Sequence, residues 1–308
     1  MATLLSRLTI SAILLGASVS SGQVQPARDD SAPLRVDVNL VLVPVTVTDR
    51  AGRIVTGLER SRFHLFEEGV PQRIASFSTE SLPASIGLVL DISGSMKQKI
   101  ETARTFVRAL LRGTESEDEA LFLTCADRPD VQSPMTHDIE GFDRLLQAAR
   151  PGGWTALMDS IYVTVDRMKA ARNSRQVVIV VSDGQDNHSR RSRAELMSKA
   201  VESDAQIYTV ATPESRGARK PIEMVEENRG LAFLSDLARS TGGFYYQIDS
   251  PGSVAAVAEK ITRTLHHQYL LDYYPTATQR NGPRRIQVKL DAPNFRLYSR
   301  SLYYAATP

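Results

Sequence analysis

The chain has 308 residues, of which 42% are hydrophobic and 23% charged, and its formal net charge is +2 at pH 7. This composition is that of a globular protein, and the length allows one large domain with a smaller one beside it. The small net charge argues against a nucleic-acid-binding protein, which ordinarily has a strong basic bias.

The first 22 residues, MATLLSRLTISAILLGASVSSG, have the pattern of a cleaved secretory signal peptide. Arg7 supplies the positive flank, an apolar stretch follows, and small residues come before the expected cleavage point. The apolar stretch is too short to span a membrane. We therefore expect an exported protein, periplasmic or extracellular, with no membrane span in the mature chain. Residues 23–33 are predicted to be a flexible lead-in.

Residues 34–83 have a β-strand pattern. Apolar and polar residues alternate before a turn in VTVTDRAG, and Glu68-Gly69 is the predicted turn of a hairpin. One face of the first strand is predicted to contain Val36, Val38, Leu40 and Leu42.

Residues 84–267 change to an alternation of buried strands and helices. The strand runs are SIGLVLD, EALFLTCA, QVVIVVSD and AQIYTVAT, and Cys125, the single cysteine, lies in the second. This alternation predicts a doubly wound, mostly parallel α/β sheet. An acidic run at residues 115–119 is interpreted as a solvated loop at the end opposite the site described below.

Residues 268–305 return to the β pattern with QYLLDYY, RRIQVKL and FRLYSRSLYY. Each β flank is short for a domain of its own. The ends of the inserted α/β segment can lie close together, as domain termini often do. We therefore predict one all-β, sandwich-like domain made from residues 34–83 and 268–305, with the α/β domain inserted into it.

Polar residues follow the buried strands at the end of the sheet where α/β proteins bind ligands. Asp91, Ser93 and Ser95 follow the first α/β strand in DISGS. Thr155 begins a helix after a Gly-Gly turn, and Asp183 follows QVVIVVS. All five residues offer hard oxygen ligands. Magnesium prefers oxygen ligands and seldom has a cage made of protein atoms alone, so this set predicts a Mg²⁺ site, with Mn²⁺ or Ca²⁺ as other candidates.

The motifs D-x-S-G-S, G-G-x-T-A-L and S-D-G, in this order, resemble the metal-ion-dependent adhesion site of von Willebrand factor type A domains. Many members of that family read G-G-T, whereas Trp154 here separates Gly153 from Thr155, and we expect the T-A-L segment to keep its register. The flanking stretches VTVTDRAG and QYLLDYYP resemble the exported bacterial subgroup called VWFA-related, abundant in Acidobacteria.

The resemblance implies a binding protein and not an enzyme. It implies that Ser93 and Ser95 bind the cation directly and that Thr155 does so when a ligand is present. Asp91 and Asp183 are expected to act through water molecules. A Glu or Asp of a protein partner would complete the coordination shell.

Two other functions remain open on the sequence alone. The metal site could only stiffen the loops of a structural assembly subunit, or a serine could be the nucleophile of a hydrolase. A serine nucleophile needs a base within hydrogen-bond reach, and His188 is the one histidine expected near the site. Alternatively, the serines could merely cap a helix. Near the rim, Arg190, Arg191 and Arg193 are either solvated residues or groups that steer an acidic partner to the cation.

Overall fold

The computed structural model describes residues 40–212, 221–276 and 282–305. The predicted signal peptide and lead-in lie outside these described residues, as do Val36 and Val38. Within the described ranges, no helix is long and apolar enough to cross a membrane.

The first described elements are four β-strands. The predicted hairpin at Glu68-Gly69 is confirmed, since both residues have positive φ angles, 48° and 80°, and join two antiparallel strands. The strands are β1 (Val41–Thr48), β2 (Phe63–Glu67), β3 (Val70–Gln72) and β4 (Ile74–Ser78).

The described residues of the face predicted for the first strand, Leu40 and Leu42, do not belong to the hydrophobic core. Leu40 is 50% exposed and Leu42 is only partly buried. Successive side chains of a strand point to opposite sides, so a shift of one residue exchanges the two faces. The buried face that joins the hydrophobic core consists of Val41, Val43, Val45 and Val47.

The middle of the chain forms one six-stranded sheet. Its strands are β5 (Ala84–Asp91), β6 (Glu119–Cys125), β7 (Pro129–Thr136), β8 (Arg175–Ser182), β9 (Gln206–Ala211) and β10 (Tyr245–Gln247). They lie in the order β10-β9-β8-β5-β6-β7, and all neighbours are parallel except the edge strand β7, which is antiparallel to β6. The predicted doubly wound, mostly parallel sheet is confirmed.

Helices cover both faces of this sheet. The apolar residues of α1 recur at helical spacing and are buried, so the helix lies with one face on the sheet. Helices α1, α2 and α6 share one core with the sheet, and α3, α4 and α5 share the other. The helices are α1 (Ile100–Leu111), α2 (Phe142–Ala148), α3 (Leu157–Arg167), α4 (Arg193–Glu202), α5 (Pro221–Ser240) and α6 (Val254–His266).

Four further strands follow the α/β segment: β11 (Tyr269–Tyr273), β12 (Gly282–Leu290), β13 (Arg296–Ser299) and β14 (Leu302–Ala305). They combine with the first four strands into two sheets, in the orders β13-β1-β11-β4 and β14-β12-β2-β3. One hydrophobic core includes residues from both sheets, so the two flanks of the chain form a sandwich around it.

The interpretation of the acidic run as a solvated loop is wrong for two of its residues. Asp118 and Glu119 are 1% and 3% exposed. Asp118 accepts hydrogen bonds from the backbone N–H groups of Ala84 and Glu115, and Glu119 accepts one from Ser85 Oγ. These carboxylates fix the start of β5, because they satisfy donors that would otherwise be buried without partners.

The sandwich contacts the α/β domain at the end of the sheet where the parallel strands begin. Arg175, the first residue of β8, donates to Gln268 Oε1 at 2.7 Å, and Gln268 donates to Thr46 of β1. Arg300, between β13 and β14, donates to Asp204 Oδ1 at 2.9 Å. The opposite end of the sheet, where the strands finish, is where the predicted site residues lie.

Candidate functional site

The two predicted carboxylates lie at the ends of neighbouring strands. Asp91 is the last residue of β5, and Asp183 directly follows β8. Because β5 and β8 are hydrogen-bonded neighbours, the turns after them open at the same edge of the sheet. Both side chains are buried, Asp91 with no exposed area and Asp183 with 1%.

Asp91 is held by hydrogen bonds from Ser93 and Ser182. Its Oδ1 accepts from the backbone N–H of Ser93 at 2.9 Å, and its Oδ2 accepts from Ser182 Oγ at 2.6 Å. Burial, followed by repulsion from the charge of Asp183, raises the pKa of Asp91 from 3.8 to about 6. A positive charge near Asp91 would favour its ionised form.

The two serines turn their hydroxyls towards each other. Ser93 Oγ lies 3.1 Å from Ser95 Oγ, and Ser93 is almost completely buried. Ser93 precedes a short 3₁₀ turn, but its side chain makes no capping hydrogen bond to that turn. The interpretation of these serines as helix caps therefore has no support in the geometry.

The Gly-Gly turn joins this loop by backbone hydrogen bonds. Gly94 N–H donates to Gly153 C=O at 3.1 Å, and Gly152 N–H donates to Ile92 C=O at 2.8 Å. Gly153 has a φ of +77°, and a Cβ on it would lie 2.5 Å from Asp127 Oδ1. The turn thus requires glycine at this position.

Thr155 is 3% exposed and is fixed by the loop that follows β8. Its N–H donates to Asn187 Oδ1 at 2.8 Å, and its C=O accepts from the N–H groups of Asn187 and His188, each at 3.0 Å. The residues Asp91, Ser93, Ser95, Thr155 and Asp183 therefore lie on three loops that hydrogen bonds join at one edge of the sheet. That they bind a cation stays a prediction.

A lysine that the sequence analysis did not select completes the connection between the loops. Lys99 Nζ lies 2.5 Å from Asp183 Oδ2, and the two side chains are only 10% and 2% exposed. Asp183 Oδ1 accepts the backbone N–H of Gln185 at 3.2 Å. Both oxygens of Asp183 are thus already hydrogen-bonded.

Trp154 stands at the rim of the site with 61% of its surface exposed. Its ring stacks on that of His188, with centroids 6.3 Å apart and an angle of 15° between the planes. Its backbone N–H donates to Asp127 Oδ1 at 2.5 Å. The tryptophan between Gly153 and Thr155 therefore does not prevent the hydrogen bonds between Thr155 and the loop that follows β8. It presents a large aromatic surface to solvent.

The arginine cluster is divided between different contacts. Arg191 places its guanidinium 3.6 Å above the ring of Tyr162. Arg193 Nη2 lies 2.5 Å from Asp236 Oδ2. Arg190 is exposed, and its backbone N–H donates to Asp159. Of the three side chains, Arg191 and Arg193 thus have intramolecular partners.

Four residues with positioning contacts were not identified from the sequence. Ser182 lies directly before Asp183 in S-D-G, so the motif itself could have indicated that Ser182 contacts the site. Asn187, Lys99 and Asp127 lie within six residues of a predicted site residue or strand end, but nothing in residue type or spacing shows which way their side chains turn.

The side chains available suit a hard cation held largely by neutral oxygens. Within residues 40–212, 221–276 and 282–305, no group of three or more His, Cys, Asp or Glu side chains could hold a metal ion. A cation at this edge of the sheet would therefore depend on serine and threonine hydroxyls and on water, beside two carboxylates. Magnesium accepts such a shell.

Comparison with known proteins agrees with the fold. Residues 86–185 match the family model of the von Willebrand factor type A domain. The chain is similar to a von Willebrand factor type A structure from Catenulispora acidiphila, at 10% identity, over 78% of this chain and 75% of that chain, with a TM-score of 0.51.

Two further solved structures cover a smaller part of the chain. BatB from Bacteroides thetaiotaomicron is 20% identical over 59% of this chain and 98% of its own, with a TM-score of 0.47. The vWF domain of the type V pili tip protein Mfa5 from Porphyromonas gingivalis is 13% identical over 60% of this chain and 95% of its own, with a TM-score of 0.46. No curated protein matches the sequence.

Proposed function

Because residues 86–185 match the family model of the von Willebrand factor type A domain, we propose that this chain is a non-enzymatic protein-binding module that captures an acidic side chain through a divalent cation. The observation that carries the proposal is the joining of three loops at one edge of the sheet. They bring two buried carboxylates and the Ser93–Ser95 hydroxyl pair to the place where α/β sheets bind ligands.

The cation we propose is Mg²⁺, with Mn²⁺ or Ca²⁺ as other candidates. Ser93, Ser95 and Thr155 would supply neutral oxygens, and Asp91 and Asp183 would supply negative charge through water molecules. Bound Mg²⁺ would supply a positive charge to which a Glu or Asp of the partner can bind. Because so few of its ligands are anionic, a cation held in this way keeps a strong attraction for that carboxylate.

The rim around the site offers a surface for the rest of the partner. Trp154 is the most exposed of the large hydrophobic side chains among the described residues. Aromatic side chains of this kind are enriched among residues that carry binding energy at interfaces. Arg190 is exposed on the same loop as His188, the ring on which Trp154 stacks, and would increase the rate of association with an acidic partner.

Hydrolase chemistry is not favoured by the contacts of the serines. The hydroxyls of Ser93 and Ser95 contact each other, and that of Ser93 also contacts Asp91, whereas across the described ranges no hydrogen bond joins either serine to a histidine. His188, the one histidine expected near the site, stacks on Trp154 instead. A nucleophilic serine needs a base that can take its proton.

A structural subunit is the second candidate, and one observation favours it. The Lys99–Asp183 ion pair and the Ser182–Asp91 hydrogen bond already connect the loops through protein groups. In that case the site would stabilise an assembly without receiving a partner's carboxylate. The two candidates differ in whether removal of the cation abolishes binding or only lowers stability.

Export rests on the N-terminal pattern, which lies outside the described residues. We propose that residues 1–22 are removed and that the mature protein is periplasmic or extracellular. N-terminal sequencing of the exported protein is expected to give a start between Ser20 and Val24. An intact Met1 on a membrane-bound form would contradict this.

Capture from extracytoplasmic extract, in Mg²⁺ and in EDTA, tests the proposed function. The immobilised proteins are the wild type, Thr155→Ala, and Asp166→Ala as a control that removes an exposed aspartate of α3. A partner that is lost in EDTA and with Thr155→Ala, but retained with Asp166→Ala, supports cation-dependent capture. Binding at full strength in EDTA and with Thr155→Ala would refute it and favour a different surface, most simply one on the sandwich.

A further inference from the structure

Lys99 is buried at a position that its own helix does not favour. It lies immediately before α1, where the helix dipole repels a positive charge. Burial of an ammonium group is also costly unless an anion compensates it. The compensation comes from Asp183, whose Oδ2 lies 2.5 Å from Lys99 Nζ. The position of this lysine is therefore explained by the site and not by the helix.

The ion pair changes the charge that a cation would meet. Asp91 and Asp183 together carry two negative charges when ionised, and the ammonium of Lys99 balances one of them. A divalent cation added to this cluster leaves one positive charge in excess. One carboxylate from outside then makes the cluster neutral. Without Lys99, the two aspartates alone would neutralise the divalent cation, and an external carboxylate would have no excess charge to balance.

We propose that Lys99 is a built-in counter-cation that makes the binding of the divalent cation and of the partner's carboxylate depend on each other. This inference rests on the proposed function of the same site. With Lys99 in place, the cation binds weakly by itself and more tightly when a carboxylate binds with it. By thermodynamic linkage, the bound cation raises the affinity for the carboxylate by the same factor.

The alternative is that Lys99 only holds the loops together. In that case its removal lowers stability, and the affinity for a cation falls or stays the same because the site is less ordered. If Lys99 is a counter-cation, its removal instead raises the affinity for a divalent cation. Removal of one positive charge within a few ångströms of a divalent cation strengthens cation binding, because a repulsion in a poorly solvated site is lost.

The test uses the full chain with its natural site and three variants at one position. Lys99→Met keeps the length of the side chain without the charge, Lys99→Gln keeps polarity, and Lys99→Arg keeps the charge. Isothermal titration calorimetry measures the Kd for Mg²⁺ alone and for Mg²⁺ in the presence of acetate, which serves as a simple carboxylate. Thermal unfolding in EDTA and in Mg²⁺ reports whether each variant is folded.

The expected result is a Kd for Mg²⁺ at least about tenfold lower for Lys99→Met and Lys99→Gln than for the wild type. Lys99→Arg is expected to behave like the wild type. Acetate is expected to lower the Kd for Mg²⁺ of the wild type by a larger factor than that of Lys99→Met. Lys99→Met and Lys99→Gln test the same expectation independently, so either of them can decide it if the other does not fold.

Two outcomes overturn the inference, and they can be told apart. If acetate lowers the Kd of the wild type for Mg²⁺ but neither uncharged variant binds Mg²⁺ more tightly, Lys99 is a structural residue and the proposed function stands. If no protein in the series binds Mg²⁺ at millimolar concentration, the counter-cation and the proposed cation-dependent function both fail.

Discussion

Replacement of Asp91 by asparagine is expected to stabilise the protein when no divalent cation is present. Asp91 is completely buried, and its pKa is raised from 3.8 to about 6 by burial and by the charge of Asp183. Its ionised form is therefore disfavoured in the folded state. Asparagine keeps the shape, can still accept from Ser93 N–H, and can donate to Ser182 Oγ, so the substitution removes the charge with little change in contacts.

The magnitude follows from the shift in pKa. A folded-state pKa above the unfolded-state value means that Asp91 favours folding below pH 3.8 and that this contribution is lost as the pH rises to about 6. A shift of about two units corresponds to about 3 kcal/mol in the free energy of unfolding. In EDTA at pH 7, Asp91→Asn is therefore expected to be more stable than the wild type by up to about 3 kcal/mol. Below pH 4 the difference is expected to disappear.

Urea denaturation followed by circular dichroism measures the free energies of unfolding of the wild type and of Asp91→Asn. The measurements are made at pH 4 and pH 7, in EDTA and in Mg²⁺. Asp166→Asn, at an exposed aspartate, is the control and is expected to show no such gain at pH 7. Magnesium is expected to reverse the order at pH 7, because the cation stabilises the ionised wild type and has less charge to bind in the variant. A variant that is less stable than the wild type in EDTA at pH 7, or a difference that does not depend on pH, would refute the reasoning.

Three further substitutions probe other parts of the molecule. Trp154→Ala is expected to change the free energy of unfolding by less than about 0.5 kcal/mol, since the side chain is exposed and stacks on His188, yet to weaken partner binding by about tenfold; unchanged affinity would remove it from the interface. Glu67→Ala removes a buried carboxylate that lies 2.6 Å from the partly buried Arg284 of the sandwich, so urea denaturation should show a loss of about 1.5–3 kcal/mol; a loss below about 0.5 kcal/mol would contradict it. Arg300→Ala removes bonds to Asp204 and Leu42, so limited proteolysis is expected to separate the sandwich from the α/β domain sooner than in the wild type.

The layout of the α/β domain was predictable because its signals are strong and local. Buried parallel strands appear in the sequence as continuous apolar runs, and α1 has a regular apolar face. The meeting of the three candidate loops was predictable for a related reason, since the turns that follow neighbouring parallel strands open at the same edge of the sheet. The hairpin at Glu68-Gly69 had a specific turn signal.

What could not be predicted depends on contacts between distant residues. Leu40 and Val41 are both apolar, so only packing against the second sheet decides which face of β1 joins the hydrophobic core. The acid Asp118 is buried because its carboxylate accepts the N–H of Ala84, 34 residues away. In the same way, Lys99 is a surface residue by type and becomes part of the site only through Asp183, 84 residues further along the chain.

The pairing of β1 also determines when the sandwich can assemble. In one sheet β1 lies between β11 and β13, and Val45 pairs with Tyr269 on one side and with Ser299 on the other. Both partners are made more than two hundred residues later, so the early strand lacks these neighbours until residues 269–299 have been made. Pairings across such separations form slowly because a long loop must close first. The α/β segment can close its own sheet earlier, and when it does, it brings the end of β4 and the start of β11 together and shortens that loop.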